Sequence, residues 1–219
     1  MTAFDIKLIA IITMLIDHTG AVLELPIFTR MIGRIAFPLF VFLIAEGCRH
    51  TKSMEKYLLR LGAFALISEI PFDLAFNNDI NFLYNTNIFY TLFLGVACVY
   101  AKRIMEERNV PYFWLLMIIP VFIASFLAEW FSSDYGAVGI LFIFITALVS
   151  GFKYRQLGVM ALFCLWLYYD WPEMLAASLI SIPIAALASG KQGQPVKWLF
   201  YWFYPVHLAI LVLAALIFM

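Results

Sequence analysis

Long runs of apolar residues, separated by short polar loops, follow one another along the whole chain. The runs lack the alternation of apolar and polar residues that marks a half-buried strand, and most are about 16–22 residues long, close to the length of a membrane-crossing helix. We therefore predict an all-α protein, a polytopic transmembrane helical bundle of about nine spans. The predicted spans are residues 4–24, 30–48, 57–76, 86–105, 111–129, 136–151, 155–170, 174–189 and 197–218.

The composition points to the same class of protein. Of the 219 residues, 65% are hydrophobic and 13% are charged, whereas a soluble domain is roughly half apolar and a quarter charged. The runs leave no room for a separate soluble domain, so we predict one integral membrane domain over residues 1–219, with the lipid bilayer and no nucleic acid as a partner. The three cysteines are scattered without metal-site spacing, and we predict no metal.

Lysine and arginine are concentrated in every second loop, whereas the intervening loops carry acidic residues. The basic loops hold Arg49, Lys52, Lys56, Arg60, Lys102, Arg103, Arg108, Lys153, Arg155, Lys191 and Lys197. The acidic loops hold Glu24, Asp79, Asp134, Asp170 and Glu173. Only Arg30 and Arg34 break this pattern. Because positive loops stay in the cytoplasm, we predict a cytoplasmic N-terminus and an outside C-terminus.

Asp17 and His18 lie side by side late in the first apolar run. An Asp at the centre of a membrane helix costs roughly 2.5–3.5 kcal/mol on insertion scales, so we expect this pair to have a function. With a rise of about 1.5 Å per residue, His18 lies about 21 Å above the cytoplasmic end of its helix, and Arg34, Glu69 and Asp73 lie at about 18–24 Å. We predict that these groups share one site in the outer half of the bilayer. The alternative is that the charged groups extend separately into interfacial water.

Lys7 and His18 are eleven residues apart and therefore lie on one helix face, about 16 Å apart. This layout suits a long ligand with an anionic head in the cytoplasm and a reactive end in the membrane, such as acyl-coenzyme A. The alternative for Lys7 is a simple cytoplasmic anchor. His207, about ten residues into the last predicted span, is either a second site group or a core residue. His50 has basic neighbours, which favour a surface or phosphate-facing position.

Three segments of the chain combine apolar runs with embedded polar residues. They are KLIAIITMLIDHTG (7–20), RMIGRIAFPLFVFLIAEGCRHT (30–51) and YLLRLGAFALISEIPFDLAF (57–76). Together they resemble the TraX family of bacterial membrane proteins. The resemblance continues more loosely through NIFYTLFLG (87–95) and YPVHL (204–208). The family takes its name from a conjugation-associated protein that N-acetylates pilin. It is also similar to membrane acyltransferases that acetylate sugars and that often carry an Arg, ten residues and a His in their first helix. Lys7 and His18 keep this spacing, although Lys lacks the bidentate fork of Arg.

The resemblance implies an acetyltransferase in the bacterial inner membrane. It implies transfer of an acetyl group from cytoplasmic acetyl-CoA to an amine or hydroxyl acceptor near the outer face, either a protein N-terminus or a small molecule. His18 is expected to act as general base or acyl carrier. Asp17, Glu69, Asp73 and His207 are candidate supporting groups, Arg34 is a candidate for stabilising an oxyanion, and Lys7, Arg49, His50 and Lys52 are candidates for binding the CoA phosphates.

Two other functional classes remain open from the sequence. A small ion- or proton-coupled transporter would use Asp17, Arg34 and Glu69 as relay groups, although the chain shows no internal repeat of the kind that many carriers have. The third possibility is a non-catalytic membrane protein that takes part in assembly.

Overall fold

The computed structural model describes residues 1–77, 80–195 and 197–218. Asp79 and the side chain of Lys197, both counted in the loop pattern above, lie outside the described residues. Helix accounts for 77% of the chain, and no strand occurs in the described ranges. The helices are α1 (Ala3–Val22), α2 (Phe28–Gly33), α3 (Ala36–His50), α4 (Met54–Phe76), α5 (Ile88–Glu107), α6 (Phe113–Leu116), α7 (Ile118–Trp130), α8 (Gly136–Leu148), α9 (Lys153–Tyr168), α10 (Pro172–Leu179), α11 (Ser181–Ala186) and α12 (Lys197–Phe218).

Three of the predicted spans are broken into two helices, and a proline explains each break. The breaks fall between α2 and α3, between α6 and α7, and between α10 and α11. In each case a proline lies two or three residues into the second helix, at Pro38, Pro120 and Pro183. A proline has no N–H for the carbonyl four residues earlier, and its ring crowds that carbonyl, so the helix loosens just before it. When the two helices of each broken span are counted together, the helices occupy the nine predicted segments, and their ends are shifted by up to about three residues.

Four helical stretches are long and apolar enough to cross a membrane. They are Phe28–His50, Ile88–Glu107, Phe113–Trp130 and Trp198–Ile217, with mean hydropathies of 1.7, 1.5, 2.0 and 2.0. Gly136–Leu148 and Pro172–Ala186 are apolar but shorter. The protein is therefore an all-helical membrane protein, whereas the nine crossings and their orientation stay predictions.

Contacts between loops sort the helix ends into two groups. At one end, the ammonium group of Met1 donates to the carbonyl of Leu187 (2.7 Å), and the Ala3 N–H donates to the carbonyl of Lys191 (2.8 Å). At the opposite ends of the helices, the Asp134 N–H donates to the carbonyl of Thr86 (3.1 Å). These contacts agree with the predicted alternation of basic and acidic loops.

The helices α1 and α2 pack with their backbones in close approach at two glycines. A Cβ atom on Gly20 would lie 1.9 Å from Thr29 Oγ1, and one on Gly33 would lie 2.2 Å from Asp17 Oδ1. Small residues allow such an approach between membrane helices. The result is that the Asp17 side chain rests directly on the backbone of α2.

We predict that Gly20→Ala destabilises the protein because the added methyl group overlaps Thr29. Overpacking of this kind costs roughly 1–3 kcal/mol, which should lower the thermal unfolding midpoint in detergent. Gly158→Ala is the matched control, since a Cβ there meets nothing within 4 Å and Ala favours helix over Gly. An unfolding midpoint for Gly20→Ala equal to that of Gly158→Ala would contradict the proposed close packing.

The predicted orientation can be checked by cysteine labelling, because Cys48, Cys98 and Cys164 are buried. Lys52 and Asp170 are exposed and belong to opposite groups of loops. A membrane-impermeant maleimide should label Asp170→Cys on whole cells and label Lys52→Cys only after permeabilisation. The reverse pattern would invert the orientation.

Candidate functional site

A cavity of about 770 Å³ lies between the helices and is lined by residues from both groups of helix ends. One part, which we term the His18 end, is lined by Asp17, His18, Arg30, Arg34, Asp134 and Tyr135. The other part, which we term the basic end, is lined by Lys7, Arg49, His50, Arg60, Lys153 and Lys191. The two residues that helix geometry placed on one face of α1, Lys7 and His18, therefore both face this cavity.

His18 is hydrogen-bonded to His207, from the last helix. Nδ1 of His18 lies 2.8 Å from Nε2 of His207, and Nδ1 of His207 lies 2.8 Å from the carbonyl oxygen of Phe203. A carbonyl can only accept, so His207 Nδ1 carries a proton and the Nε2 of the neutral ring is an acceptor. His18 must then donate from Nδ1, which leaves its Nε2 with a free lone pair. With this inferred tautomer, His18, which lines the cavity, could act as a base or nucleophile through Nε2.

Aromatic rings hold this histidine pair in place. The ring of His18 packs edge-on against Phe76 (5.4 Å between centroids) and Tyr204 (5.8 Å) and lies parallel to the ring of His207 (5.0 Å). His207 in turn stacks on Phe203 at 4.8 Å and is only 5% exposed. His207 does not itself line the cavity, so it supports His18 from behind.

Asp17 faces α2 and the following residues, not His18. Its carboxylate lies 2.9 Å from Arg30 Nη1 and 3.4 Å from Arg34 Nη2. Arg30 Nη1 also donates to the backbone carbonyl of Asp17 (3.1 Å). Successive helix residues point about 100° apart, which is why the two neighbours contact different helices. Arg30, which departs from the loop charge pattern, is thus explained by its pairing with Asp17.

Glu69 and Asp73 do not share the cavity, contrary to the single predicted layer. Both are fully buried. The Glu69 carboxylate accepts from the backbone and side-chain N–H groups of Asn87, and Asp73 accepts from the Asn77 side chain (2.6 Å) and the Asn81 N–H (2.7 Å). The Glu69 bonds tie α4 to the start of α5, and the Asp73 bonds fix the chain that follows α4. Neither carboxylate is the partner of His18.

Of the four residues predicted to bind the CoA phosphates, three line the cavity and one does not. Lys7, Arg49 and His50 line the basic end, whereas Lys52 is exposed and does not line the cavity. The Glu46 carboxylate lies among them, 3.6 Å from both Arg49 Nη2 and His50 Nε2.

Several lining residues were not identified as site residues from the sequence. They are Arg30, Arg60, Asp134, Tyr135, Lys153, Lys191 and Tyr204. Arg30 could have been found from its place in an otherwise acidic loop group. Asp134, in contrast, is one of several acidic loop residues in the sequence, and only the folded structure shows that its loop lines the cavity. No three His, Cys, Asp or Glu side chains converge as on a metal ion in the residues that the structure describes.

Comparison with known proteins gives one family and one curated relative. A family model described as TraX protein matches residues 4–215. A protein of Dichelobacter nodosus, described as probable fimbrial assembly protein FimC of serogroup H1, is 29% identical over 238 residues, covering 96% of this chain and 94% of the relative. No solved structure matches significantly. Because the family match runs from the first helix into the last, the protein belongs to the TraX family.

Proposed function

We propose that this protein is a membrane acetyltransferase that moves an acetyl group from acetyl-CoA, bound at the basic end, to an amine or hydroxyl acceptor at the His18 end. The observation that carries the proposal is one cavity lined by both Lys7 and His18, whose Nε2 is not used in the bond to His207. A two-substrate reaction across a membrane needs such a connection.

The basic end has the charge that a phosphorylated ligand requires. Five cationic side chains and His50 line it, against one carboxylate, Glu46, which is already shared between Arg49 and His50. Lysine and arginine are the usual partners of phosphate groups. A ligand with its phosphates at this end could extend a thin arm along α1, about 16 Å from Lys7 to His18, and carry its thioester to the imidazole.

At the His18 end, the imidazole supplies the base and an arginine supplies charge stabilisation. Nε2 of His18 would take a proton from the acceptor as its nucleophilic atom attacks the thioester carbonyl. The His18–His207–Phe203 hydrogen-bond chain then spreads the positive charge of the imidazolium over two rings. Arg34 lines the same part of the cavity, and its N–H groups could stabilise the oxyanion of the tetrahedral intermediate.

The acceptor class is drawn from the relatives. The Dichelobacter nodosus protein is described as a probable fimbrial assembly protein, and the TraX family takes its name from a pilin N-acetylase. A fimbrial subunit that presents its N-terminus at the bacterial inner membrane is therefore the protein acceptor we propose.

The transporter alternative has weaker support. It requires Glu69 as a relay group together with Asp17 and Arg34, but Glu69 is fully buried, bonded to Asn87 and absent from the cavity wall. Asp17 and Arg34 are paired with each other.

We predict that His18→Ala lowers acetyl transfer by about 10²–10⁴-fold, the contribution of a positioned general base. Transfer can be followed as CoA thiol release, with purified protein in detergent and a peptide bearing a free N-terminal amine as acceptor. Thermal protection by acetyl-CoA should persist in this variant, because His18 does not bind the phosphates. His207→Ala should give a smaller loss of kcat with unchanged KM for acetyl-CoA. Undiminished thiol release by His18→Ala would exclude the proposed base.

We predict that Lys7→Gln and Lys191→Gln each weaken acetyl-CoA binding by roughly tenfold or more, the value of one hydrogen bond to a charged group. Binding can be measured as the acetyl-CoA concentration that gives half-maximal thermal protection. Lys52→Gln is the control, since it removes the same charge near the basic end but outside the cavity. Equal effects of all three substitutions would indicate a general surface-charge effect and no built phosphate site.

A further inference from the structure

Asp134 differs from the other carboxylates on the cavity wall in lacking a cationic partner. Three acidic side chains line the cavity, Asp17, Glu46 and Asp134. Asp17 pairs with two arginines, and Glu46 pairs with Arg49 and His50. In the described part of the chain, Asp134 forms no ion pair, although its side chain is accessible from the cavity.

The loop that carries Asp134 is held in a strained conformation against its neighbours. Ser132 and Tyr135 have positive φ angles of 45° and 66°, which side chains rarely adopt. The Asp134 N–H donates to the carbonyl of Thr86 (3.1 Å), and the Asp134 carbonyl accepts from the hydroxyl of Thr91. The backbone of Asp134 is thereby fixed at both its N–H and its carbonyl, while the residue lines the cavity.

The surroundings of this carboxylate favour a cationic ligand. Burial among protein atoms, opposed in part by Arg34, raises the pKa of Asp134 to about 6. The residue is nevertheless exposed and lines the cavity, so a bound ammonium group could reach the carboxylate and stabilise its ionised form through a charge-assisted hydrogen bond. Tyr135, the next residue, lines the cavity beside it.

We propose that Asp134 is the acceptor-binding residue, whose carboxylate receives the ammonium group of an amine acceptor at the His18 end. This inference rests on the proposed acetyl transfer and deepens it, because it names the residue of this chain that would recognise an amine acceptor. An alcohol would leave the charge of Asp134 without a partner.

The same contact accounts for every proton in the reaction. Asp134 takes one proton from the ammonium group, which leaves a neutral amine with a free lone pair. The amine nitrogen forms a bond to the thioester carbonyl carbon, and its second proton passes to Nε2 of His18. The C–S bond then breaks, and the departing thiolate takes the proton from His18. One amide, one CoA thiol and one proton on Asp134 result, and that proton is released to water.

The test compares two peptides that differ only at the first residue, one with a free α-amino group and one with a hydroxyl in its place. Their binding to the purified full-length protein is measured as half-maximal thermal protection in detergent, in the presence of desulfo-CoA. We expect the wild-type protein to prefer the amino peptide by at least roughly tenfold. Asp134→Asn should abolish this preference, and Asp134→Glu should largely keep it. Asp170→Asn, which removes an exposed carboxylate outside the cavity, should behave as wild type.

Equal protection by the two peptides, or a preference that survives in Asp134→Asn, would overturn the role of Asp134 and leave the acetyltransferase proposal standing. The acetyl-CoA protection curve of each variant separates the two proposals. Loss of acetyl-CoA protection in the wild-type protein would overturn the acetyltransferase proposal itself, whereas a normal curve in Asp134→Asn shows that this variant is folded.

Discussion

The structure of the His18 end depends on the packing of Asp17 against α2 and on its ion pairs with Arg30 and Arg34. A carboxylate packed between apolar helices needs partners, and Asp17 obtains Arg30 and Arg34 because Gly33 lets the backbone of α2 come within reach. Once Asp17 is fixed toward α2, the next side chain must point about 100° away around α1. That direction brings His18 to the cavity wall and to His207 of α12. One pairing thus orients the whole first helix.

The proline breaks give this arrangement its shape. Pro38 breaks the second span just after Arg34, so that α2 can lie along the end of α1 while α3 continues through the core, where ten of its fifteen residues are buried. If residues 28–50 formed one straight helix, Arg30 and Arg34 would belong to the same rigid helix as α3. The ion pairs of these arginines with Asp17 would then depend on the tilt of α3. Because of the break, the orientation of α2 and of its ion pairs with Asp17 is independent of the apolar packing of α3.

The features of the fold that depend on neighbouring residues in the chain were predictable from the sequence. Span positions follow from apolar run length, and the shared face of Lys7 and His18 follows from helix periodicity. Depth along the membrane is also nearly local, and Glu69 and Asp73 do belong to the same group of helix ends as His18. Depth along the membrane does not determine the direction in which a side chain points, however. The rotation of α4 about its axis directs the carboxylates of Glu69 and Asp73 toward Asn87 and Asn77 instead of the cavity. The pairing of His18 with His207, 189 residues away, depends on how α1 and α12 are turned toward each other, and no pattern in either helix fixes that rotation.

The chain of His18, His207 and the Phe203 carbonyl is a suitable way to orient the proposed base inside an apolar helical bundle. A carboxylate partner would hold the imidazole equally well, but it would add an ionised group that must itself be desolvated and paired. A neutral imidazole backed by a peptide carbonyl fixes the same tautomer without a charge in the resting state. In the proposed acetyl transfer, the arrangement would become charged only when His18 accepts a proton, and the charge would disappear when the leaving thiolate takes that proton. Asp17 is already paired with Arg30 and Arg34, and this explains why the carboxylate beside His18 in sequence is not its partner in the fold.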